Sequence, residues 1–174
     1  MIYFGIDIGV TGAIALMEDE KLEWVKDVPS FEVHVSGKKR TRYNARGCWD
    51  LLHPWVQEGG TKAILEDISG HGGIGSRALL QMGTGSGLWQ GIVAGQNIPV
   101  EIARPTDWKR EMLRGLDWKG KGAKEAARSR ACQLFPDCAS LFSRKKDHNR
   151  AEAALMAEYL RRMYQGEMEK EESA

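Results

Sequence analysis

An acid inside an apolar run constrains this chain more than any other feature. Residues Met1–Leu16 read MIYFGIDIGVTGAIAL. Ile2, Tyr3, Phe4 and Ile6 lead up to Asp7, a turn of Gly9, Val10, Thr11 and Gly12 follows, and Ala13–Leu16 is apolar again. The pattern is a buried strand, a tight turn and a return strand. Burying a lone carboxylate is costly unless something pairs with it or neutralises it. No base adjoins Asp7 in sequence, so its partner is a cation or a distant part of the chain. The question for the remaining residues is which other acids can converge on it.

The 174 residues suffice for one compact core. A content of 42% apolar and 28% charged residues is ordinary for a globular protein in water. No apolar run is long enough for a bilayer and no basic leader precedes the first strand, so no membrane contact and no signal peptide are expected. Cys48, Cys132 and Cys138 are odd in number and lack C-x-x-C spacing. They read as free thiols in a reducing compartment, which points to the cytoplasm. The net charge of +1 says nothing of partners, but its distribution does. Bases gather at Lys38–Arg46, Arg104–Lys124 and Arg144–Arg150, and acids at Glu18–Glu20 and Glu167–Glu172. Such patches suit a polyanion held on one face; a solvated surface of mixed charge is the plain alternative.

Along the chain, Lys21–Val28 alternates as a third strand closed by Pro29. Glu32–Tyr43 reads as a polar hairpin or a mobile loop. A helix opens at Asn44 or Ala45 and is bent or ended by Pro54. Thr61–Ile68 is a buried strand carrying Glu66 and Asp67, followed by the glycine-rich turn Ser69–Gly75. Ser76–Gly95 is a helix despite four interior glycines, whose spacing allows close approach of another helix or backbone. Val100–Ala103 is the fifth strand. Thr106 caps a helix to Arg114, Ala123–Phe135 is amphipathic, and Asp147–Tyr164 is the final helix. These elements give an α/β fold: a mixed sheet with helices on both faces. Residues 1–166 form one domain in this reading, and 167–174 an acidic, disordered tail.

Sites in open α/β sheets form at the carboxyl ends of strands. Asp7 on the first strand and Glu66 on the fourth meet there if those strands are parallel neighbours. The last helix adds Asp147 at its N-cap position, with His148 and Glu152 four apart on one face. Like-charged acids at one place repel unless a divalent cation lies between them. Hard carboxylate oxygens favour Mg²⁺ or Mn²⁺ over zinc. Two such ions side by side suit in-line phosphodiester hydrolysis.

Three segments, GIDIGVTGAIAL, AILEDI and KKDHNRAEAALMAEYL, resemble the RuvC-type Holliday junction resolvases of the RNase H-like superfamily, in particular their phage-like branch. They come in the family's order and span most of the chain. The resemblance implies an RNase H-like five-stranded sheet. It also implies a metal-dependent endonuclease of DNA recombination and repair. As a homodimer, such an enzyme nicks a four-way DNA junction symmetrically and leaves 5′-phosphate and 3′-hydroxyl ends. Asp7, Glu66 and Glu152 match the family's acids, with Glu152 standing where many relatives have Asp. The fourth acid has no clear match: three and four residues before Glu152 stand Asn149 and His148, and Asp147 lies five before. Asp147 is the expected ligand, with His148 as alternative ligand or general base, and two Mg²⁺ or Mn²⁺ ions are expected per site.

Expected DNA contacts are Lys38, Lys39, Arg40 and Arg42 in the hairpin, His71 in the glycine-rich turn, Lys109, Trp118, Lys119 and Lys121, and Lys145 and Lys146 before the last helix. Cations hold phosphates, and an aromatic beside a cation can stack on an unpaired base. Trp108 is expected in the core, and the glycine-rich helix with Leu80, Met82, Leu88 and Trp89 at a dimer interface. Competing functions are an RNase H-fold nuclease on flaps, other branched DNA or structured RNA, a non-catalytic junction-binding module, and an actin-like ATP-binding regulator. A cluster of acids beside phosphate argues against pure binding, and the chain has no second phosphate-binding strand-turn for the last.

Overall fold

The computed structural model describes residues 1–69 and 75–172, with the backbone alone for Lys121 and 167–172. In chain order its strands are β1 (Ile2–Ile6), β2 (Ala13–Glu18), β3 (Lys21–Asp27), β4 (Ser30–Val35), β5 (Lys38–Tyr43), β6 (Thr61–Glu66) and β7 (Val100–Ala103). Its α-helices are α1 (Ala45–Leu52), α2 (Ser76–Gly95), α3 (Pro105–Met112), α4 (Ala123–Leu134) and α5 (His148–Glu172). Five strands form one mixed sheet in the order β3-β2-β1-β6-β7, and β4 and β5 form a separate hairpin. β1 runs antiparallel to β2 and parallel to β6, which is parallel to β7.

Strand alternation divides the core in two. Ile2, Phe4 and Ile6 of β1 face one side, with Ala63 and Leu65 of β6, against Cys48 and Leu52 of α1 and Trp89, Ile92 and Val93 of α2. Tyr3 and Ile64 face the other side, against Trp108 of α3, Ala127 and Ala131 of α4, and the row from Ala151 to Leu160 on α5. The sheet thus carries helices on both faces, as the sequence leads one to expect. The alanines of α5 have a purpose: a Cβ on Gly5 would lie 2.0 Å from the Ala153 carbonyl oxygen. The helix backbone rests directly on β1, so the small residues on both sides are steric requirements. Similarly, Gly85 lets α2 approach the β1–β2 turn, since a Cβ there would lie 2.4 Å from the Ile8 oxygen and from Tyr43 Oη.

Several boundaries differ from expectation. The fourth sheet strand stops at Glu66 because Asp67 Oδ1 accepts the Ser69 N–H at 2.8 Å and turns the chain. α3 begins at Pro105 with Arg104 at its N-cap, not with Thr106 as cap, because proline's fixed φ is pre-organised for the first helical position. Lys145–Asp147 form a short 3₁₀ turn ahead of α5. α5 itself continues to Glu172, through residues expected to be disordered; Glu, Met and Lys are good helix formers. All three cysteines are free among the described residues. No described helix is long and apolar enough to cross a membrane.

Candidate active site

Asp7 follows Ile6 on β1 just as Glu66 follows Leu65 on β6, and Ile6 and Leu65 are parallel partners. Alternation from Tyr3 and Ile64 turns both acids toward α5. Glu152 sits one turn into α5, just before Ala153, the residue that touches β1 at Gly5. The charges of Glu152 and Glu66 both act on Asp7. Burial is the largest influence and pushes the Asp7 carboxyl up to about 7; the Gly9 N–H, donating to Asp7 Oδ1 at 3.2 Å, and the Lys109 ammonium oppose it. Asp7, Glu66 and Glu152 therefore share one end of the sheet.

Two neighbours hold the acids. Lys109 Nζ lies 3.4 Å from Glu152 Oε1 and 3.9 Å from Glu66 Oε1, so a cation already sits beside two of the carboxylates. Trp108, fully buried, donates its indole N–H to Glu66 Oε1 at 3.2 Å. Trp108 is thus a core residue, as expected, with a polar end in the site. Lys109, expected only as a DNA contact, lies beside both Glu66 and Glu152. The adjacency of Trp and Lys was visible in the sequence, but which carboxylates they would meet depends on α3 packing beside β6. Among the described residues, no three His, Cys, Asp or Glu side chains are gathered closely enough to enclose a metal ion as they stand. The donors fit a hard divalent cation in kind: they are carboxylate oxygens that repel one another unless a cation lies among them.

Asp147 does not join them. Its buried carboxylate accepts the Arg144 backbone N–H at 2.9 Å and the Arg144 guanidinium at 2.8 Å. The hydrogen bonds from Arg144 are the main reason its pKa is held below the usual carboxylate range. Arg150 lies 4.0 Å away and forms a two-pronged bond to Asp27 at 2.6 and 2.7 Å. The 3₁₀ turn points Asp147 back toward Arg144. His148 faces the same turn, with Nδ1 3.3 Å from the Lys145 oxygen. Asn149 instead reaches the turn after β1, donating from Nδ2 to the Thr11 oxygen at 2.7 Å. Tyr43 closes the other side, its hydroxyl donating to the Ile8 oxygen at 2.9 Å.

The expected DNA contacts are spread over several elements. Lys38 and Arg42 are exposed on β5 and Arg40 is half-buried. Lys39 pairs with Glu32 at 2.6 Å. Lys119, Lys145 and Lys146 are exposed. Trp118 is half-buried against the α5-side core, so it is less free to stack on a base than its sequence setting suggests. His71 and the Lys121 side chain lie outside the described residues.

No family model matches the chain, and no curated protein matches it in sequence. Its fold does have solved counterparts. The Thermus thermophilus RuvC structure is similar at a TM-score of 0.55 and 15% identity, covering 94% of this chain and 96% of that one. T. thermophilus RuvC in complex with Holliday junction substrate is similar at a TM-score of 0.58, with the same identity and coverage. At this identity the likeness is one of fold, and it extends over nearly the whole of both chains: the chain has the RuvC-like, RNase H-like α/β fold.

Proposed function

We propose that this protein is a divalent-metal-dependent endonuclease that resolves four-way DNA junctions as a homodimer, within the RuvC-like group and in its phage-like branch. The observation that carries the reading is the meeting of Asp7, Glu66 and Glu152 from β1, β6 and α5 at one end of the sheet, in a RuvC-like fold. The branch assignment rests on the resemblance of the three sequence segments, and a cytoplasmic location on the free cysteines.

In this reading Asp7, Glu66 and Glu152 hold two Mg²⁺ or Mn²⁺ ions. The ions supply an activated water and charge stabilisation for the leaving 3′-oxygen. The chain's own residues orient the donors: the Trp108 indole fixes Glu66, and the Gly9 N–H fixes Asp7. Lys109 balances the Glu66 and Glu152 carboxylates and would be the nearest cation to a scissile phosphate. Asn149 ties the start of α5 to the β1–β2 turn, keeping Glu152 in register with Asp7. Asp147 is assigned as a structural anchor. Paired, symmetric nicks need two copies, and α2 offers a face for the second. Among the described residues nothing lies within 4 Å of a Cβ placed on Gly83, Gly87 or Gly91, and Leu80 is 72% exposed. Trp89, expected on that face, is instead fully buried in the subunit's own core.

The test is cleavage of a labelled four-way junction with Mg²⁺ or Mn²⁺, beside linear duplex and flap, by wild type and Asp7→Asn. Paired symmetric nicks by wild type, lost by at least about a thousandfold in Asp7→Asn, are expected. Equal cutting of flaps would replace the junction by branched DNA in general. Tight junction binding with no cutting under either metal would make this a junction-binding module.

A further inference from the structure

The β4–β5 hairpin stands apart from the five-stranded sheet. Its strands pair in register from Ser30↔Tyr43 to Val35↔Lys38, joined by Ser36 and Gly37, both at positive φ (50° and 71°). That is a two-residue turn of the kind whose twist matches its strands. Residues opposite one another in an antiparallel pair share a face. One face therefore carries Phe31, Val33 and Val35 in a row on β4 and, opposite them, Arg42, Arg40 and Lys38 in a row on β5. Phe31 is 50% and Val35 45% exposed, although both are large and apolar. Among the described residues no carboxylate pairs with Lys38, Arg40 or Arg42, whereas Lys39, on the opposite face, is neutralised by Glu32. A two-stranded hairpin alone is marginal in water. This one is rooted at the site by Tyr43, whose hydroxyl bonds the Ile8 oxygen one residue past Asp7, and by the Asn44 N–H bonding the Pro29 oxygen.

We infer that this face is a duplex-DNA arm: the β5 cations lie on backbone phosphates of the DNA leaving the active site, and the β4 apolar row packs on its sugars and base edges. Charge complementarity selects the occupant, since three unpaired cations in line repel a second copy presenting the same face. Alternate strand residues are about 6.8 Å apart, roughly the axial rise of two phosphates on one strand. A two-stranded ribbon is also of a size that DNA grooves admit. The inference rests on the reading that the substrate is DNA, but not on catalysis.

It is tested by DNA binding of the full chain in chelator, on linear duplex and on four-way junction, between about 50 and 200 mM salt. Replacing Lys38, Arg40 and Arg42 together by Gln should lower the slope of log affinity against log salt by about 2–3 and weaken binding at least about tenfold. Lys38→Gln alone, beside the exposed turn, should lower the slope by about 0.9, which covers the case of a triple variant that does not fold. Phe31→Ser with Val35→Thr should weaken binding severalfold with the slope unchanged. Unchanged slopes in folded cation variants overturn the inference, as does an apolar variant that dissociates a dimer while binding DNA normally. If wild type cuts no junction yet its binding depends on the hairpin, the nuclease reading fails and the arm stands. If wild type resolves junctions and the cation variants keep the full slope, the arm alone fails.

Discussion

Trp108 and Glu66 show how one side chain can serve the core and the site together. The ring fills the α5-side core, and its edge donates to the carboxylate proposed above as a metal ligand. Trp108→Phe keeps most of the apolar volume and removes the N–H. The hydrogen bond is to a charged group, a class worth about 1.5–3 kcal/mol. Mn²⁺ affinity, measured by calorimetry without DNA, is therefore expected to fall about tenfold, with a melting temperature lowered by only a few degrees. Unchanged affinity would show that Glu66 is held in place by other contacts. At Asp7 the surroundings act in the opposite sense: burial and two like charges disfavour its carboxylate. Asp7→Asn removes that cost, so the metal-free variant should melt several degrees above wild type at neutral pH in a thermal scan.

Helix α5 is the element on which the site depends, and it is fastened in three places. Its backbone lies against Gly5, Asn149 bonds the Thr11 oxygen, and Arg150 clamps Asp27, while in the turn just ahead of it Arg144 holds Asp147. Asp147→Asn keeps the shape of the side chain and removes its charge. Stability should fall by about 1–3 kcal/mol while junction cleavage stays within a few-fold of wild type. A loss of cleavage beyond a hundredfold in a folded variant would make Asp147 a ligand. Further along, Glu158 is 5% exposed and accepts from Arg161 at 2.8 Å and Arg162 at 2.6 Å. Burial alone would raise its pKa, but the two guanidinium groups outweigh burial and hold it below the usual value. Its stabilisation is thus present above the unfolded pKa of about 4.3 and is lost as pH falls through the lower folded value. Glu158→Gln should melt below wild type at pH 7, and the gap should close on acidification below about pH 4 in melts at stepped pH.

For the whole molecule, Asp7, Glu66 and Glu152 lie at one end of the sheet, while Lys38 and Arg42 on β5 and Lys145 and Lys146 before α5 are exposed and, among the described residues, have no carboxylate partner. In the proposed reading, that separation would let a near-neutral chain hold a polyanion while keeping its carboxylates off the phosphates. The symmetric double nick proposed above would require two such ends, so the protein should sediment as two chains at micromolar concentration, and Leu80→Glu should shift it toward one. Sedimentation of wild type as a single chain at all accessible concentrations would remove the homodimer from the proposal.

Most of the secondary structure could be read from residue order. Alternation, helical periodicity and Pro or Gly punctuation are local, and they marked α2 and β7 at their observed bounds. The buried acid at Asp7 could be read too, because a carboxylate in an apolar run demands compensation wherever it lies. Parallel pairing of β1 with β6, which brings Glu66 alongside, was a condition in the sequence and a fact in the fold. Tertiary structure decided the rest. Whether Asp147 or its neighbours face Asp7 depends on how the 3₁₀ turn meets α5, and a single residue of helical phase rotates a side chain by about 100°. Lys109 and Trp108 enter the site because α3 packs beside β6, a contact between residues about forty positions apart that no local pattern encodes. Local sequence determines which residues can be buried or charged, and packing between distant elements determines which of them meet.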